Sequence, residues 1–486
     1  MHLIGHIKGN KVLLFTALFI FILRLIFIGA MGLMPQDAYY YFYGEHPALS
    51  YYDHPPAIAW LLKAFTTILG NKAYAVKLAD SVTTFATLIA FYQLCLHFLS
   101  RHKAANAFIV LFSTLMVTIL SLVSTPDVPL MLCWTLSLLF LYRAVFLERK
   151  VYWLLAGIMM GLAFDSKYTA VFLPAGLLLF LVLSAPHRKW LLSPWLWAAL
   201  ILMIVASSPV IIWNIQHDMA SFRFQSTGRT GGIEVRPLDV LGVIGHQAAI
   251  LMPVLFFSLW VLLYKTIRRK FKKVTAEQLF LLSFFLPLFL LFFLISPIYW
   301  VKINWMMPAY ISGIIWVSVY LSEKYIRWQQ VFAWVVHVAL AIELIFYPVP
   351  INSDDVWLGW GEMADSVKSL KKQYPQDFIF SADDYKTSAV LNFYLDEMVY
   401  GQNILGRKAL QFDYIGTDVN KLAGRNALFI NSEIGDATDE QRFTDTLRKY
   451  FSTVQALPPI VVRGYGKVIR EFQVYRCLAY HPGGSK

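Results

Sequence analysis

The run LFLLSFFLPLFLLFFLISPI, from Leu279 to Ile298, carries no charged residue. A helix needs about 20 predominantly apolar residues to cross the hydrocarbon core of a bilayer, and this run is that long. A second run, Val12 to Leu33, is interrupted only by Arg24. Its length and that arginine set it apart from the apolar region of a signal peptide. It reads as an uncleaved first span. Composition agrees with a lipid solvent: 58% of the 486 residues are hydrophobic and only 15% are charged. Soluble domains average about 45–50% and 25%.

The same length criterion predicts about eleven spans, within a range of about 9–13. They lie near 12–33, 76–98, 105–123, 127–147, 151–165, 169–185, 192–213, 240–264, 279–298, 305–322 and 330–349. Alternate loops differ in charge. One set holds Lys8 and Lys11, Arg101 and Lys103, Arg149 and Lys150, Arg188 and Lys189, the stretch Lys265 to Lys273, then Lys324 and Arg327. The positive-inside rule assigns this set to the cytoplasm. The N-terminus is then inside, and an odd number of spans carries the C-terminal end outside. The net charge of +12 is spread over these short loops, so no basic face for nucleic acid is expected. Cys95, Cys133 and Cys477 have neither disulfide nor metal-ligand spacing.

Residues 34–75 form a long outer loop with two aromatic clusters, Tyr39-Tyr40-Tyr41-Phe42-Tyr43 and Tyr51-Tyr52. Ala57 to Leu69 is apolar but too short to span, and reads as a helix lying in the interface behind Pro55 and Pro56. Past Pro350 the chain turns polar. Phe378–Phe380, Ala427–Ile430 and Phe472–Tyr475 read as short strands and Asp439–Tyr450 as a polar helix. The expected organisation is a membrane domain over 1–350 and a small α/β outer domain over 351–486.

Polar groups converge on the outer side. Asp37 follows the first span directly. It is placed to accept a proton, to bind a metal, or to cap a helix beginning at Ala38, and the residue alone leaves these open. Asp53 and His54, held by the two prolines, add a carboxylate and an imidazole able to meet phosphate or shuttle a proton. Asp127 opens the fourth span, Lys167 and Tyr168 join the fifth to the sixth, and Lys302 and Asn304 precede the tenth. Lysines outside the membrane break the charge pattern, and an anionic ligand accounts for them; anchoring beside Tyr and Trp is the alternative. The loop Asn214–Pro237 holds His217, Asp218, Arg223, Arg229 and Arg236 among Gly228, Gly231 and Gly232. It reads as a lid with phosphate-clamping arginines, or as a merely solvated loop.

In their order these residues resemble bacterial GT-C glycosyltransferases, the enzymes akin to protein O-mannosyltransferases and lipid A aminoarabinose transferases. The resemblance rests on Gln36-Asp37-Ala38-Tyr39-Tyr40-Tyr41, Tyr52-Asp53-His54-Pro55-Pro56-Ala57, Ser124-Thr125-Pro126-Asp127-Val128-Pro129, Gly161-Leu162-Ala163 with Ser166-Lys167-Tyr168-Thr169, Trp213-Asn214, and Ser221-Phe222-Arg223-Phe224-Gln225. Asp384-Tyr385-Lys386-Thr387 and Phe393-Tyr394 extend it into the outer domain. It implies a polytopic helical membrane fold of GT-C type and an inverting transfer from a polyprenyl-phosphate sugar, on the outer face of the bacterial inner membrane. The acceptor would be lipid A, another glycolipid or a secreted protein. By the resemblance Asp37 is the catalytic carboxylate, and His54, Asp53, Asp127, Lys167, Tyr168, Arg223, Lys302 and Asn304 bind donor phosphate or substrate. His54 stands where the aminoarabinose transferases carry a phosphate-contacting lysine. Ala38 replaces the Glu that often follows the aspartate, and participation of a divalent metal is left open. A transporter or flippase for a polyprenyl-linked glycan is the competing class; its ionisable residues would sit near the bilayer midplane. Arg24, Asp80, His246 and Glu343 are the ones that do.

Overall fold

The computed structural model describes residues 11–228, 235–269, 274–349, 356–432 and 437–483. Lys8, Arg229, Gly231, Gly232, Lys270, Lys272, Lys273, Asp354 and Asp355 lie outside them. The chain forms two compact units. The first holds Met1–Ile28, His54–Ile58 and Lys77–Ala341; the second holds Gly29–Asp53, Ala59–Val76 and Ile342–Lys486.

The first unit is helical. Among the described residues, Ala73–Cys95, Asp127–Val145, Ala276–Ile295 and Glu323–Phe346 are long and apolar enough to cross a membrane. Counting each sharply bent helix pair as one span raises the number to eight, and four shorter apolar helices stand beside them. The runs 105–123 and 240–264 are each a bent helix pair, and the run 192–213 is interrupted at Ser207. Asp239–Leu251 and Pro253–Arg268 meet at 115°. Pro253 has no N–H to continue the helix, and Met252 before it turns left-handed at φ 65°.

Val151–Phe164 packs between Asp127–Val145 and Pro194–Ala206. Gly157 and Gly161, one helical turn apart, make the second contact possible. A Cβ on Gly157 would lie 2.3 Å from the carbonyl oxygen of Ala199, and one on Gly161 2.5 Å from Ala206 Cβ. Backbone cannot yield as a side chain can. Gly157→Val is therefore expected to cost about 1–3 kcal/mol or more, seen as a lowered thermal midpoint and loss of monodisperse protein in detergent. Gly242→Ala, with nothing within 4 Å of its Cβ, should leave both unchanged.

The second unit joins most of residues 34–75 to the C-terminal region. A five-stranded sheet has the order β2-β1-β3-β5-β4, built from β1 (Phe378–Phe380), β2 (Val399–Tyr400), β3 (Ala427–Asn431), β4 (Phe451–Gly464) and β5 (Lys467–Tyr480). β1 runs parallel to β2 and β3; β5 runs antiparallel to β3 and β4. Phe378, Phe380, Phe429, Leu447, Phe451 and Tyr475 fill its core. The short strand expected at Phe472–Tyr475 is the middle of a 14-residue strand, and its equally long partner β4 was not expected. Pro458 and Pro459 hide β4 from a strand reading. They are tolerated because β4 is an edge strand and they sit at the irregularity between Leu457 and Ile460.

Candidate active site

In the first unit three turns meet. Asp127 lies in the first turn of Asp127–Val145, where the helix dipole favours a carboxylate. Lys167 comes from the turn between Val151–Phe164 and the short helix Tyr168–Val171, and Asn304 from the turn before Met307–Ser318. Lys167 Nζ donates to both carboxylate oxygens of Asp127, at 2.8 and 2.9 Å, and Asn304 Nδ2 donates to Asp127 Oδ2 at 2.6 Å. The Asp127 side chain is 1% exposed and that of Lys167 9%. An ion pair so far from water survives because its geometry is bidentate and further hydrogen bonds satisfy it.

The Asp127 turn is itself held from below. Helix Ala73–Cys95 presents Lys77, Asp80, Ser81 and Thr84 along one face, the spacing of neighbours on a helix. Lys77 Nζ donates to the carbonyl of Leu122, Ser81 to Ser121 and Thr84 to Leu120. Ser124 Oγ donates to Asp80 Oδ2 at 2.6 Å. These bonds take up the last carbonyls of helix Leu115–Leu122, which its own backbone cannot satisfy. They position the segment leading to Asp127. Lys77 is fully buried, and sequence reasoning passed over it. The signal was present as a polar i, i+3, i+4, i+7 stripe in an apolar helix.

Lys167 also lines a cavity of about 180 Å³ with His54, Tyr168, Thr169, Gln225, Phe292, Tyr299 and Trp305. His54 reaches it because the Ala57 N–H donates to the Asp165 carbonyl at 2.9 Å, tying the Pro55-Pro56 turn to the turn that carries Lys167. Phe222 packs edge-on against Tyr168, so the loop after Asn214 contributes to the same wall. Asn214 organises that loop: its Oδ1 accepts from the N–H groups of Ser221 and Phe222. Arg223 and Lys302 are exposed. Asp165 is fully buried, and neither carboxylate oxygen has a hydrogen-bond partner among the described residues.

In the second unit, Asp37 is fully buried on helix Pro35–Glu45. The helix starts three residues earlier than expected, at Pro35, with Met34 as its cap. Asp37 is thus not the cap. It lies within the first turn, and its Oδ2 accepts the Met34 N–H at 2.8 Å. Burial first, and then the carboxylates of Glu362, Asp365 and Asp37, raise the Tyr394 phenol above its usual range, so Asp37 lies within electrostatic reach of that ring. The tyrosine run has two tasks. Tyr39 donates to Asp53 Oδ1 at 3.0 Å, and Tyr43 donates to the same oxygen. Tyr39 also stacks on Tyr385, Phe42 on Phe412 and Tyr52 on Tyr414, while Tyr41 meets Phe393 edge-on. Gln411 completes the docking, accepting from the Tyr52 N–H at 2.7 Å. Nothing local in the sequence announces Gln411 or Phe412 as partners of the first loop.

Among the described residues no three His, Cys, Asp or Glu side chains converge as a metal site. Ala38, fully buried, offers no donor beside Asp37. The donors among the described residues do not make a metal-binding set.

The fold of this chain has solved counterparts. ArnT from Cupriavidus metallidurans in the apo state superposes with a TM-score of 0.63 over 96% of this chain and 98% of that one, at 12% identity. The same protein bound to undecaprenyl phosphate gives 0.62 over 95% and 97%, at 13% identity. The fold is GT-C. The family described as dolichyl-phosphate-mannose-protein mannosyltransferase matches residues 53–213, a stretch that contains Asp53, His54, Asp127, Lys167 and Tyr168. Lipid A galacturonosyltransferase RgtD of Rhizobium johnstonii is 26% identical over 299 residues, which span 61% of this chain and 61% of RgtD. The chain is a multi-pass membrane protein, as its apolar spans require.

Proposed function

We propose that the protein transfers a sugar from a polyprenyl-phosphate donor to lipid A or a related envelope acceptor, on the outer face of the bacterial inner membrane. The observation that carries this reading is the cavity that Lys167 and His54 share, backed by the buried Asp127–Lys167–Asn304 network. A leaving phosphate needs fixed cationic and hydrogen-bonding groups, already oriented, to receive its charge. The likeness to RgtD favours lipid A as acceptor and makes galacturonic acid the first sugar to try; the ArnT complex favours a polyprenyl phosphate carrier.

In this reading the acceptor hydroxyl attacks the anomeric carbon opposite the phosphate. The carbon–phosphate-oxygen bond breaks, polyprenyl phosphate leaves as its anion, and the configuration inverts. Asp37 takes the hydroxyl proton. Lys167 and His54 hold the phosphate, Tyr168 walls the sugar, and Arg223 and Lys302 attract the anionic donor from the surface. The N-terminus is cytoplasmic and the second unit lies outside, following the loop charges. The mass spectrum of lipid A from cells with and without the gene should differ by one sugar residue. The proposal fails if lipid A and the other envelope glycans are unchanged and purified protein in nanodiscs releases no polyprenyl phosphate from a polyprenyl-phosphate galacturonic acid donor.

A further inference from the structure

The β4–β5 hairpin ends in an unusual turn. Gly464 pairs with Lys467, leaving Tyr465 and Gly466 as a two-residue connection with φ 51° and 72°. Two positive φ values are the mark of the turn that suits a twisted hairpin, and its first position favours Asn, Asp or Gly. An aromatic residue in the left-handed region is a local cost that folding alone does not reward, and such outliers gather at functional sites. Tyr465 is nevertheless 52% exposed. Val461 and Val468 beside it are exposed as well, and so are Arg463 and Lys467. The tip is therefore an apolar, aromatic point flanked by two cations.

Its neighbour says where it lies. The Tyr465 ring stacks on Tyr347, centroids 6.1 Å apart. Tyr347 directly follows Glu323–Phe346, one of the helices long enough to cross a membrane, and its N–H still donates to Glu343 in the last turn. The hairpin tip thus sits where a membrane helix leaves the hydrocarbon, the depth at which tyrosine is enriched.

We infer that the β4–β5 tip is an interfacial anchor that seats Tyr465, Val461 and Val468 among lipid headgroups and sets Arg463 and Lys467 on the phosphates of anionic phospholipid. The anionic bilayer is the partner because the cations flank the apolar point on both strands and the tip abuts the end of a membrane helix. The inference does not depend on sugar transfer. Two basic residues near an anionic surface bias the seated over the lifted tip by on the order of 30-fold.

The test uses the full chain in nanodiscs, with an environment-sensitive fluorophore on Val468→Cys in a Cys133→Ala background, Cys95 and Cys477 being buried. With phosphatidylglycerol present, emission should shift to the blue and brominated lipid should quench it. Pure phosphatidylcholine should weaken both effects. Arg463→Glu with Lys467→Glu, and separately Arg463→Gln with Lys467→Gln, should remove the dependence on anionic lipid. Water-like emission without quenching in either bilayer overturns the inference. Quenching that is equal in both bilayers, or unchanged in the charge variants, overturns the headgroup assignment.

Discussion

Asp37→Asn is expected to lower sugar transfer by about 100- to 10,000-fold, the range for removing a positioned general base. The choice of asparagine matters. Asp37 has a structural duty, accepting the Met34 N–H inside the first turn of its helix. An amide oxygen keeps that bond at nearly the same volume, while an amide cannot take a proton from an acceptor hydroxyl. The variant should insert, elute and melt like the parent while transfer collapses. Asp37→Ala removes both duties and should also cost about 0.5–2 kcal/mol of helix stability, the range for losing a side-chain bond to an orphan N–H at a helix start. Transfer kinetics and a thermal melt of both variants in the same detergent separate the two contributions. Full activity of Asp37→Asn would reduce the carboxylate to an acceptor for the Met34 N–H.

The second large effect concerns Lys167. Lys167→Met leaves the fully buried Asp127 with only the amide of Asn304 among its described donors. Breaking one side of a buried pair costs about 3–5 kcal/mol because the remaining charge stays uncompensated. Lys167→Met should therefore express poorly, melt early and lack transfer. The double variant Lys167→Met with Asp127→Leu removes both charges and should regain most of the stability, since a buried pair replaced by apolar residues is often neutral or better. Transfer should remain at least about 100-fold down, because the cavity has lost its fixed cation. A double variant that is both stable and active would make Lys167 a strut for Asp127 and nothing more.

The two residues show how far the chain could be read without its fold. Asp37 was legible because it is a carboxylate placed immediately after an apolar run, where charge is costly. Lys167 and Asn304 were legible for the same reason, as polar residues in turns between apolar runs. Their common partner was not. Asp127, Lys167 and Asn304 are far apart in the chain, and one carboxylate accepting from both the others is a matter of how three helices lean together. Lys77 was missed because a lysine in an apolar helix looks like an end-of-span anchor until the carbonyl it meets is known. Helix starts were missed for a local reason: Pro35 carries its helix earlier than Asp37 suggested, since proline suits the first turn.

What the amino-acid order determines by itself is the solvent. Apolar length selects lipid, and it acts through single-residue transfer energies that need no partner. That reasoning also separates the polar C-terminal region from the helices. The tertiary structure alone decides that the first outer loop belongs with that region, since ring contacts such as Tyr39 on Tyr385 and Phe42 on Phe412 depend on which faces meet. It alone turns Gly157 and Gly161 into a close helix contact and bends the runs 105–123 and 240–264 into helix pairs. It alone brings His54 and Lys167 to one cavity, through a backbone bond from Ala57 to Asp165 that no composition or spacing encodes.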